Sequence, residues 1–155
     1  MKTAEAIECI TDAGEFEILA TRVLRIADDD CRLLEHMGVN AAGKTIPNPV
    51  DAFCRVPGTA PPRFVMAAFT TVKLDSLERK WLFDHSSAKH ANKATVTDNG
   101  DLIKASQRAK ALRNSFPEAT FVVHLCTNRQ PDDQLLAQVL TKGQDIGLDV
   151  RFLTQ

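Results

Sequence analysis

No stretch of the 155-residue sequence approaches the run of about 18 apolar residues that a membrane-crossing helix requires. The amino terminus, MKTAEAIECI, carries too many acids and too short an apolar run for a secretory signal. A cytoplasmic protein without a membrane partner is therefore expected. Paired cysteine spacing is also missing: Cys9, Cys31, Cys54 and Cys126 lie far apart, which predicts buried free thiols rather than a zinc ribbon or a redox pair. His85, His90 and His124 have no regular ligand spacing and His36 stands alone, so no histidine-ligated zinc is expected. No serine sits in a Gly-x-Ser-x-Gly elbow, which removes serine-nucleophile chemistry. A net charge of -1 gives no global attraction to nucleic acid, so local basic clusters must carry any such contact. Internal repeats and low-complexity tracts are absent.

What remains is the composition of a soluble globular domain, with a length that suits one domain spanning 1–155 and not two. After a polar start, EFEILATRVLRIA places Phe16, Leu19, Val23, Leu24 and Ala27 at helical spacing, and Asp28, Asp29 and Asp30 end that helix. CRLLEHM then reads as a short strand. Val50 to Val56 reads as a second, with Val50, Ala52, Cys54 and Val56 on one face and Asp51, Phe53 and Arg55 on the other. RFVMAAFTTV is apolar enough for a central strand buried on both faces. Ser76 to His85 is a predicted helix with Leu77, Trp81 and Leu82 inward, followed by an expected mobile surface loop, Ser86 to Gly100.

The last third alternates. Asp101 to Phe116 is helical by its periodicity, with Asp101 as the expected N-cap and Lys104, Arg108, Lys110 and Arg113 on the outer side. TFVVHLCTN is a strand, PDDQLLAQVLTKGQDIG a helix closed by Gly147, and LDVRFLTQ a final strand. Such alternation predicts parallel pairing through helical crossovers. The chain stops with no polar tail after that strand, which suggests the N-terminal piece of a longer protein with further domains.

Two functions compete for the stretch GVNAAGKTIPNPVDAF. Gly38, Gly43, Lys44 and Thr45 match a phosphate-binding P-loop. That loop works by opening into a helix whose amides hold the phosphates. Pro47 and Pro49 keep the chain extended here, and no later strand ends in the aspartate that would hold magnesium. No nucleotide cofactor is expected. The stretch is better centred on Asp51.

The order of a helix, three strands, a helix and a strand, with Pro49, Val50 and Asp51 opening the second strand, resembles the PD-(D/E)XK, or restriction-endonuclease-like, superfamily. The resemblance implies an α/β fold with a central mixed sheet of about five strands flanked by helices, and metal-dependent cleavage of nucleic acid phosphodiesters. Two carboxylates would hold magnesium and a lysine would stand beside the scissile phosphate. It casts Asp51 and Glu17 as metal ligands and Lys80 as the catalytic lysine. Lys44, Thr70, Gln107 and Arg108 become candidate nucleic-acid contacts. The chain departs from the signature where an acid-x-Lys triplet belongs, since FVMAAFTT supplies Ala68 and Thr70. Lys73 or Lys80 would have to replace the lysine, and Glu17 the acid. The wider pattern, with the helix LERKWLFDH, looks like N-terminal nuclease-like domains of large bacterial multidomain proteins that carry NTPase or repeat modules, some suspected of anti-phage roles. The alternative expectation is a catalytically inactive module that binds nucleic acid or a protein partner, or that assembles copies of itself.

Overall fold

A computed structural model describes residues 3–37, 50–86 and 99–155. Helix α1 (Thr3–Glu8) precedes α2 (Ala13–Ala27), and a 3-10 turn (Asp29–Cys31) leads to β1 (Glu35–His36). Strands β2 (Ala52–Arg55) and β3 (Arg63–Thr70) follow, then α3 (Leu74–Leu82), α4 (Asp101–Ser115), β4 (Thr120–Thr127), α5 (Asp133–Asp145) and β5 (Asp149–Leu153). The five strands form one mixed open sheet in chain order, with β1–β2 and β2–β3 antiparallel and β3–β4 and β4–β5 parallel. This is an α/β protein whose crossover pairing matches the alternation of its last third. Among the described residues no helix is long and apolar enough to cross a membrane.

β3 is the central strand because it can be dry on both sides: seven of its eight residues are buried, and their side chains alternate between two cores. Phe64, Met66 and Ala68 face α3, α4 and α5 together with Phe121, Val123 and Leu125 of β4. Val65, Ala67 and Phe69 face α2 together with Val122 and Cys126. The first core is aromatic, with Phe64 stacked 5.7 Å from both Phe53 and Phe121 and Trp81 5.8 Å from Phe152. The second is built of small and sulfur-bearing residues, Ala20, Cys31, Ala52, Cys54 and Cys126.

Several local expectations change. α2 buries Phe16 and Leu24 as expected, but its inward line is completed by Ala20 and Thr21, while Leu19 and Val23 are partly exposed. The small Ala20 lets the helix approach the sheet, and the larger apolar side chains flank that line. CRLLEHM is mostly turn, because Asp28 caps the 3-10 helix with its own carboxylate and only Glu35 and His36 pair with β2. Val50 joins the aromatic core, on the opposite face from Ala52 and Cys54, because the backbone bends at Val50 and Asp51 before β2 begins. The expected loop from Ser86 to Gly100 and the P-loop-like Gly38 to Thr45, with Lys44, lie outside the described residues except at the loop's two ends.

Candidate functional site

Strand β2 runs against β3, so its first residues stand beside the carboxyl end of β3, where open α/β sheets place ligands. Asp51 occupies that position. Its amide donates to Ala67 O (3.0 Å), its carbonyl accepts from the Met37 amide (2.8 Å), and its Oδ2 accepts from the Phe69 amide (2.8 Å). The carboxylate thus extends the β3 ladder one step beyond Ala52, the first residue of β2. Thr70 closes β3; it is buried, and its hydroxyl accepts from the Val72 amide at 3.3 Å.

Lys80, on α3, reaches across to the first residue of α4. Its Nζ lies 3.1 Å from Asp101 Oδ1. Gly100 sets this approach: its amide donates to Phe83 O at 2.7 Å, and a Cβ at Gly100 would sit 2.7 Å from backbone atoms of Trp81 and Phe83. Only glycine lets the start of α4 meet the end of α3. Asp101 is therefore not the N-cap, a position that Gly100 takes, but a buried carboxylate inside the first turn. Its Oδ2 is buried with no hydrogen-bond partner among the described residues. Burial pushes its pKa up to about 6; Lys80 and Lys104 pull against this, and the neighbouring Asp51 carboxylate adds to it. Arg79, Lys80 and Lys104 line a cleft of about 300 Å³ with Val72, Phe83 and Gly100.

The structure thus brings Asp51, Lys80 and Asp101 into one electrostatic neighbourhood. Glu17 stands on α2 and pairs with His36, the residue before Met37. Gln107 is exposed on α4. Arg108 is half-buried with its guanidinium 5.3 Å from the Phe53 ring centroid, and Arg113 stacks at 4.8 Å on Phe121 and donates to Gly147 O. These two α4 arginines cover aromatic core edges with their cationic planes, so the helix is less of a free basic face than its sequence suggests. Ala68 is buried in the aromatic core, and β3 offers no carboxylate there.

A second polar cluster lies under the α2 face. His124, on β4, is buried, with Nε2 3.2 Å from Asp28 Oδ2 and 3.4 Å from Cys31 Sγ. The three ligand atoms lie within 4.8 Å of one another, close enough to hold a metal ion. Arg151 Nη1 also reaches Asp28 Oδ2 at 2.8 Å, and its Nη2 bonds Asp149 at 3.1 Å; Arg63 pairs with Asp30 at 3.0 Å. Burial acts to raise the Asp28 pKa, but hydrogen bonds from Arg151 and the Asp30 amide, with the nearby positive charge, outweigh it and hold the carboxyl below its usual range. Burial pushes the Cys31 thiol up to about 12, helped by Asp28, and pushes the His124 imidazole down against the pull of Asp28. Cys54 and Cys126 are buried free thiols on the same face, whereas Cys9 is exposed.

Sequence reading missed both convergences. Cys31 and His124 are 93 positions apart, and no spacing rule spans that gap. Asp101 had a signal, an acid at the head of a helix, but that signal points to capping first. Comparisons with protein-family models, with curated proteins and with solved structures give no match for this chain.

Proposed function

We propose that the chain is a nuclease-like domain of the restriction-endonuclease-like type that acts on nucleic acid phosphodiesters through a rearranged site of Asp51, Asp101 and Lys80. The order of its elements agrees with that reading. The observation that carries it is the Lys80–Asp101 pair: Lys80 lines a cleft with two further cations and reaches a buried, under-coordinated carboxylate on which the Asp51 charge also acts. Asp101 takes the part of the acid that position 68 lacks, and Lys80 that of the missing lysine. The hard oxygen donors of Asp51 and Asp101 fit magnesium, which when bound would neutralise phosphate charge and acidify the attacking water. Lys80 holds Asp101 ionised near neutral pH and presents its ammonium to the phosphodiester. Arg79 and Lys104 contact the flanking backbone, and Gln107, Arg108, Thr70 and Lys44 are further contacts in the same reading.

The experiment is nicking of supercoiled plasmid, and cleavage of single-stranded DNA and RNA, with magnesium or manganese. Metal-dependent cleavage by the wild type, lost in Asp51→Ala and in Asp101→Asn but kept in Glu17→Gln, is the expected result. Loss in Glu17→Gln with retention in Asp101→Asn would return the second carboxylate to Glu17. The buried Ala68 favours one other reading, an inactive module that binds nucleic acid or assembles a larger protein. Its outcome is no cleavage by wild type under any condition, with retention of labelled DNA or RNA or self-association.

A further inference from the structure

We infer that Asp28, Cys31 and His124 form a site for a borderline-soft divalent ion, zinc above all, on the α2 face of the sheet and independent of the cleft chemistry. The donor set decides the class of ion. A thiolate, an imidazole and a single carboxylate oxygen disfavour magnesium and calcium, which take oxygen donors, and suit zinc. The spacing agrees: tetrahedral zinc bonds of about 2.0 Å to oxygen and nitrogen and about 2.3 Å to sulfur separate nitrogen from oxygen by about 3.3 Å and nitrogen from sulfur by about 3.6 Å. The observed separations are 3.2 Å from Nε2 to Asp28 Oδ2 and 3.4 Å from Nε2 to Cys31 Sγ. The fold itself sets that spacing, because the 3-10 turn fixes Asp28 and Cys31 three residues apart and the sheet fixes His124 under them.

Charge balance supports the same ion. Asp28, Asp30 and Asp149 face Arg63 and Arg151, three carboxylates against two guanidiniums. A zinc ion that binds with loss of the Cys31 proton brings this cluster from one net negative charge to none. Arg151 then gives up Asp28 Oδ2 and keeps Asp149 and Asp30, which lie 3.1 and 3.7 Å from its nitrogens. Water takes the fourth position, and His124 Nδ1 has no acceptor among the described residues, so binding is weaker than in a closed four-ligand structural site.

The test uses the full chain, reduced and stripped of metal, titrated with cobalt(II) as a spectroscopic stand-in and with zinc in competition with a chromophoric chelator. One equivalent of cobalt, with a thiolate-to-cobalt charge-transfer band, is expected. The band disappears in Cys31→Ser and persists in Cys54→Ser and Cys126→Ser. Asp28→Asn, at a partly exposed position that leaves both soft donors in place, weakens zinc by more than about tenfold. Since Cys31 is buried, circular dichroism checks the fold of its variant; if that variant is unfolded, Asp28→Asn and the wild-type stoichiometry decide alone. No charge-transfer band in the wild type, a band that survives Cys31→Ser, or unchanged zinc affinity in Asp28→Asn overturns the inference.

Discussion

Asp28 is half-buried and Asp101 almost fully so; both sit beside a cation, yet their carboxyls shift in opposite directions. Asp28 has its donors supplied: the Asp30 amide on Oδ1, and Arg151 with His124 on Oδ2. Asp101 has Lys80 on Oδ1 and nothing described on Oδ2. Desolvation raises both, far more for the deeply buried Asp101, whereas at Asp28 hydrogen bonds outweigh it, so depth of burial and the hydrogen-bond inventory together set the sign. The lesson is functional. A saturated carboxylate binds an ion only by exchanging partners, whereas an under-coordinated one has a lone pair waiting. The two faces of the sheet therefore hold two kinds of carboxylate environment, a saturated one under α2 and an unsaturated one between α3 and α4.

The strongest way to break the contrast is to remove the device that buries Asp101. Gly100→Ala forces a Cβ against backbone atoms of Trp81 and Phe83, which cannot turn aside as a side chain could. We expect a loss of upward of about 3 kcal/mol, or failure to fold, read from urea midpoints. A loss under about 1 kcal/mol would mean that α4 shifts freely and that the Lys80–Asp101 pairing is not fixed by this contact. Gly58→Ala, at a positive φ but with open space around it, should cost about 1 kcal/mol and serves as the control.

Asp101→Asn sharpens the contrast with a change of opposite sign. The carboxyl pKa is about 6 in the fold and near 3.8 when exposed, so between those values the native state holds more protons than the unfolded one. Its stability relative to the variant therefore falls as pH rises from about 4 to about 6. The charged groups that face it are Lys80 on α3, Lys104 on α4 and Asp51 before β2. The variant should be more stable than wild type by about 2 to 3 kcal/mol at pH 7, with the gain gone near pH 4, in paired denaturation series. The same variant should lose cleavage, the signature of a site kept at the expense of stability. A gain that does not vary with pH would remove burial of the charge as its cause.

The contrast also marks what could be read from the sequence. Periodicity located β3, α3, α4, β4, α5 and β5 because each has one dominant pattern, and alternation gave the parallel pairing. In α2 it placed Phe16 and Leu24 inward correctly but chose Leu19, Val23 and Ala27 where Ala20 and Thr21 are buried, since hydrophobicity favours leucine and valine over a small or polar residue. The resemblance directed attention to Asp51 and Lys80, and the structure places both charges against Asp101. Asp101 was misassigned as a cap because capping is a local signal, and a glycine that permits close approach announces itself only when the two helix ends meet. The Asp28–Cys31–His124 cluster was not legible at all: it depends on the register of β4 beneath the turn after α2, a tertiary fact.

Arg151→Gln gives the smallest expected change and the most direct reading of the closed site. Arg151 is about a third exposed and its ion pairs reach solvent, so losing them should cost about 0.5 to 1 kcal/mol of stability. Metal binding should move the other way. In the wild type an entering ion displaces a guanidinium from Asp28 Oδ2 and then sits beside its charge; with glutamine neither cost remains. Removing one unit charge at that range in a partly solvated cluster is worth on the order of 1 kcal/mol, so cobalt and zinc should bind about fivefold tighter in the chelator competition. A structural polar cluster with no metal role would lose stability and gain no affinity. Weaker binding in Arg151→Gln would mean that the guanidinium orients Asp28 for the ion instead of competing with it, and the contrast would then rest on Asp101 alone, whose Oδ2 is buried without a hydrogen-bond partner among the described residues.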